Sequence, residues 1–134
     1  MEQNEFVKRV QEAGEIGSPE EAQRITEATL GTLGELLSKT ERGDLAAELR
    51  KPLKGYLDMW LDRPTQGIGR PHRFGVEEFY NRVSARSDAG YPTAVRGSQA
   101  VVNVLLQAVS AGQLQDVFNE LPDDYAELLS GKPR

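Results

Sequence analysis

Residues 78–83, "EFYNRV", echo residues 5–10, "EFVKRV": Glu, Phe, Arg and Val recur 73 positions apart. The echo continues along the chain. Residues 22–49 lie over residues 94–121 at a spacing of 72. Ala22/Ala94, Arg24/Arg96, Ala28/Ala100, Leu33/Leu105, Ser38/Ser110, Asp44/Asp116, Glu48/Glu120 and Leu49/Leu121 are identical pairs. Leu30/Val102, Leu37/Val109 and Leu45/Val117 keep their apolar character. The one-residue change of spacing falls in the loop before the second long helix, where insertions are tolerated. Self-similarity at a fixed period predicts an internal duplication.

The duplicated stretches have helical period. Ala22, Ile25, Thr29, Leu33 and Leu36 form one stripe, which Leu30 and Leu37 widen. Ser18, Pro19 and Glu21 supply an N-cap, a first-turn proline and a capping-box partner. In the second copy, Val95, Val101, Val102, Leu105, Leu106 and Val109 follow Pro92. Its apolar residues go further round the helix, so this helix is expected to be the more buried of the two. Further capping boxes are expected from Ser38 to Glu41 and from Ser110 to Gln113. Pro52 and Pro122 each stand where a proline can open a last helix, and Asp123 and Asp124 suit the positive end of the final one.

The expected fold is therefore all-α. Helices are predicted near 3–13, 18–37, 41–49 and 51–61, then near 76–87, 92–109, 113–120 and 122–130. This reads as one domain of two tandem four-helix repeats, about 3–61 and 76–130, joined by a linker at 62–75. A unit of about 60 residues is marginal alone. The two copies should bury their stripes against each other with pseudo-twofold symmetry.

"EFVKRV", "GRPHRFGVEEFYNRV" and the closing "ELPDDYAELL" together resemble the bacterial domain-of-unknown-function family 2267, over roughly residues 3–130. The resemblance implies a small, duplicated, all-helical domain in bacteria. It implies no activity, substrate or catalytic residue. Gly75 stands where members of that family often carry a capping acid.

Composition narrows the function. The 134 residues carry a formal charge of −5, a balance unfavourable to nucleic-acid or anionic-membrane binding. Residues 63–75 are the exception, with three basic side chains and no acid. There is no cysteine, which excludes disulfides, thiolate metal sites and cysteine nucleophiles and fits a cytoplasmic setting. The opening "MEQNEFVKRV" has no apolar run and reads as neither signal peptide nor membrane anchor.

Four groups are candidate sites. Arg70 and Arg73, on the glycine-rich run "GIGRPHRFG", could clamp an anion at the start of the next helix. The same run reads more simply as a connector, with Phe74 stapling the helix onto a residue such as Phe79 and the arginines pairing with nearby acids. His72 is the only histidine, too few for a zinc site. Glu20/Glu21, Glu77/Glu78 and Asp123/Asp124 lie at helix starts, where acids complement the dipole. Tyr56, Trp60, Phe74, Phe79 and Tyr80 could line a pocket or plug the junction between copies. No catalytic constellation, metal site or cofactor motif emerges. The leading expectation is a non-enzymatic interaction or scaffold domain whose partner is another protein. The alternative is a small-anion or ligand-binding regulator with a site around Trp60, Arg70, His72 and Arg73.

Overall fold

The computed structural model describes residues 1–61 and 74–134. Among these residues the protein is helical, with no strand. The first half contains α1 (Gln3–Gly14), α2 (Pro19–Leu36), α3 (Lys39–Ala47) and α4 (Leu53–Tyr56). The second contains α5 (Val76–Ser87), α6 (Tyr91–Ala108), α7 (Ala111–Asn119), a 3-10 turn (Asp123–Tyr125) and α8 (Ala126–Ser130).

The opening motif has a simple physical meaning. Phe6, Val10, Phe79 and Val83 are fully buried. The matched acid and arginine form an i,i+4 pair on each helix, Glu5–Arg9 and Glu78–Arg82. The first helix of each half packs most extensively on the long helix of the other, α1 on α6 and α2 on α5. Arg24 Nε donates to the Ser87 carbonyl at 3.1 Å, and Arg96 Nε to the Gly14 carbonyl at 3.2 Å. Both long helices thus satisfy a carbonyl at the end of the opposite first helix.

The serine caps form as expected. Ser18, Ser38 and Ser110 accept from the backbone N–H of Glu21, Glu41 and Gln113 at 3.1, 3.1 and 3.2 Å. The return arm of two expected capping boxes differs. The Ser38 N–H donates to Glu120 at 2.9 Å, and the Ser110 N–H to Glu48 at 2.7 Å. Both serine hydroxyls donate to the same carboxylates. The local partners meet each other instead: Gln113 Nε2 donates to Glu41. Pairing of α3 with α7 brings the distant carboxylates within reach.

Three expectations need correction. The helix near 51–61 is only one turn of α4, with turns on to Leu61, and the one near 122–130 begins as a 3-10 turn. The first long helix, not the second, buries more residues: α2 is buried at Thr26, Thr29, Gly31, Thr32 and Gly34 besides its apolar stripe. Gly31 and Gly34 explain this, because α4 and the turns after it lie directly on them. A Cβ on Gly34 would stand 1.9 Å from the Leu57 carbonyl oxygen. Finally, Asp124 does more than face its own helix dipole. Its Oδ2 accepts the Val76 N–H at 3.0 Å, capping α5 where Gly75 has no side chain to do so. A Cβ on Gly75 would stand 2.8 Å from that oxygen.

Burial of Glu41 between α3 and α7 raises its carboxyl pKa above the ordinary 4.5; the Gln113 bond lowers it, and Asp116, Glu120 and Asp44 raise it further. A raised carboxyl binds its proton more tightly in the folded state, so its ionisation opposes folding at neutral pH. Glu41→Gln, which keeps an oxygen for Gln113, should stabilise the protein modestly at pH 7. The gain should fade as pH falls through the folded value towards and below 4.5. Urea midpoints of both proteins at pH 7 and at about pH 4 check this. Glu127 has the opposite sign. Its pKa is lowered, first by the Arg134 hydrogen bond, against the opposing effect of burial, with help from Tyr80. Its stabilisation is present above 4.5 and is lost as pH falls through its folded value.

Candidate functional site

The most distinctive polar cluster lies between α2 and α5. Thr32 and Glu35, one turn apart on α2, face Arg82 and Arg86, one turn apart on α5. Arg86 Nη1 donates to Thr32 Oγ1 at 2.8 Å. Both terminal nitrogens of Arg86 also reach the Glu35 carboxylate, Nη2 at 3.2 Å from Oε1. Arg82 Nη1 reaches Glu35 Oε1 at 3.4 Å, while its Nε donates to Glu78 at 2.9 Å. The Glu35 and Arg86 side chains are only 10% and 16% exposed, so this is an ion pair largely shielded from water.

Two aromatic rings cover the cluster. The Arg86 guanidinium stands 4.5 Å from the Trp60 ring centroid, and that of Arg82 stands 3.9 Å from Phe74. Trp60 lies over Gly31, where a Cβ would meet Trp60 Cδ1 at 2.2 Å. The corresponding positions elsewhere in the chain are simpler. Arg9 and Ala13 precede Arg82 and Arg86 by 73 positions; Val104 and Gln107 follow Thr32 and Glu35 by 72. There Arg9 keeps its pair with Glu5, and the bond across the helices runs from Arg9 Nη1 to Gln107 Oε1 at 2.6 Å.

Two guanidinium groups meet two carboxylates, so the cluster offers no net charge. An added anion would have to displace Glu35 from a shielded, bidentate arginine. The chemistry is that of a closed junction rather than an open anion clamp.

Of the residues proposed from sequence, Trp60 sits at this junction. Arg70, His72 and Arg73 lie outside the described residues. The aromatic group divides into three. Phe79 packs edge-on against Tyr80 and Tyr125 in the core, at 6.4 and 5.5 Å between centroids. Trp60 and Phe74 cover the arginines. Tyr56 stands apart, donating to Gln3 at 3.0 Å. Glu35, Arg82, Arg86 and Thr32 were not singled out from sequence. One signal was available: Glu35 interrupts the apolar run "LGTLGELL", and the two arginines recur at helical spacing.

A second feature lies on the outer side of α4. Leu53 and Leu57 are fully buried, which leaves Pro52, Gly55, Tyr56 and Met59 on an open groove of about 610 Å³. Lys51 and Lys54 border it. Among the described residues, no group of three His, Asp or Glu side chains could hold a metal ion. None of the described helices is long and apolar enough to cross a membrane.

Among the described residues the protein is all-helical, and the cluster between α2 and α5 is closed by bonds within the chain. The DUF2267 family, described as an uncharacterized conserved protein, matches residues 3–128, and the chain belongs to that family. Comparison with curated proteins finds no match.

Proposed function

We propose that the protein is a non-enzymatic interaction domain, a single unit of two tandem four-helix repeats with pseudo-twofold symmetry, working in the cytoplasm with another protein as partner. The duplication is supported by contacts that recur between matched positions. Arg24 and Arg96 each hold a carbonyl of the opposite first helix. Ser38 with Glu120 and Ser110 with Glu48 are the same exchange made twice. Ile25 and Gly97, matched at 72 positions, meet each other: a Cβ on Gly97 would stand 2.6 Å from Ile25. A pseudo-twofold axis between α2 and α6 would require such self-matched contacts.

The observation that carries the functional reading is where the chemistry-bearing side chains are spent. Arg82, Arg86, Arg24 and Arg96 are all engaged within the chain. Large apolar side chains stay exposed after α4: Met59 is 42% exposed and Leu61 36%. Exposed apolar side chains beside a groove suit a partner surface better than a reaction.

A photo-crosslinking amino acid at Met59, compared with the exposed positions Glu12 and Asn103, tests this in cells. A discrete protein adduct from position 59 is expected, with none from the other two. No protein adduct from any surface position would remove the reading. The ligand-binding alternative has its own check. Inorganic phosphate and nucleotides at millimolar concentration should shift the melting temperature no more than matched salt, because the cluster arginines are already neutralised. A saturable shift of the size RT ln(1 + [L]/Kd), lost in Trp60→Ala, would favour the alternative.

A further inference from the structure

Building on the interaction reading above, we propose that the groove over α4 takes an acidic amphipathic helix of another protein. The floor is apolar and anchored. Leu53 and Leu57 fix α4 to the core from beneath, and the Tyr56 hydroxyl is tied to Gln3, so the Tyr56 ring forms a set wall. Gly55 leaves the centre open, since a Cβ there would meet nothing within 4 Å. A volume of about 610 Å³ can receive several side chains but not a folded domain.

The rim gives the partner its sign. Lys51 and Lys54 form no ion pair among the described residues, whereas Asp58, on the same rim, is held by Arg42 at 3.2 Å. The groove is thus a positive border around an apolar floor, on a chain of formal charge −5. A helix with apolar residues at i, i+3, i+4 and i+7 would fill the floor and set flanking carboxylates against the lysines. A second copy of this chain is a poorer occupant. A twofold contact through the groove would bring the lysine rims of both copies together, and like charges disfavour that. Nucleic acid is poorer too, because two lysines neutralise few phosphates and the floor offers no further cation.

The test uses the full chain and two fluorescein-labelled synthetic helices, each of about five turns. Both carry leucines at i, i+3, i+4 and i+7. One has glutamates on its flanks and the other lysines. By fluorescence anisotropy, the glutamate helix should bind at least about tenfold more tightly than the lysine helix. Raised salt should weaken it. Lys51→Glu with Lys54→Glu should reverse the preference. Gly55→Gln projects into open space, so it should leave the melting curve intact and weaken the glutamate helix at least about tenfold. Equal binding of the two helices, no binding of the glutamate helix, or binding unmoved by these variants would overturn the proposal. So would self-association of the chain abolished by Gly55→Gln, or a DNA duplex competing the glutamate helix away. A Met59 crosslink to a partner whose docking segment is basic would sink this inference while leaving the interaction reading standing.

Discussion

Gly34→Ala is expected to destabilise the protein by about 3 kcal/mol or more, although alanine is the better helix former by about 1 kcal/mol. The cause is a backbone clash. The new Cβ would lie 1.9 Å from the Leu57 carbonyl oxygen and 2.8 Å from its carbon. Neither can swing away as a side chain does, so the segment from Leu53 to Trp60 must lift off α2. Lifting exposes Leu53 and Leu57, both fully buried. Gly43→Ala is the matched control. It lies within α3, and its Cβ would meet nothing within 4 Å. It should stabilise by about 0.5–1 kcal/mol through helix propensity alone. Urea titration of both variants measures the contrast, and similar midpoints would show that α4 does not rest on Gly34.

Glu35→Ala should cost about 3–5 kcal/mol, the range for removing one partner of a buried ion pair. Two shielded guanidinium groups then lose their shared carboxylate, and only Arg82 keeps another, Glu78. Adding Arg86→Met should recover much of the loss, because an apolar side chain of similar length needs no counter-charge beside Trp60. A double-mutant cycle measures the coupling. Coupling near zero would place the pair effectively in solvent. Binding at the α4 groove should respond to both variants only through the fold.

Helix positions were largely legible in the sequence because their causes are local. Serine caps act within one turn, and stripes such as Ile25, Thr29, Leu33 recur every turn. The failures are long-range. The carboxylate that receives the Ser38 N–H is that of Glu120, not Glu41, because α3 pairs with α7, which no local pattern encodes. The shortness of α4 follows from its docking on Gly31 and Gly34, and these look like ordinary helix weaknesses when read alone. Burial of α2 was underestimated for the same reason: its threonines and glycines, polar or neutral by composition, face packed neighbours. In the candidate junction, Trp60 was legible as one of the aromatic group that could plug the space between copies. Its arginine was sought nearby in sequence, whereas Arg86 comes from 26 positions further along. That distance closes only because α5 packs on α2.

The central claim is that the halves share one core, each first helix lying on the long helix of the other. Producing residues 1–66 and 67–134 as separate polypeptides, then mixing them at equal concentration, tests it most directly. Each alone should lack a cooperative thermal transition as a monomer, since α1 would lose α6 and α5 would lose α2. The mixture should regain helicity and a single cooperative transition as a one-to-one complex. A sharp, native-like transition from either half as an isolated monomer, unchanged by adding the other, would contradict the shared core and the paired repeats proposed from it.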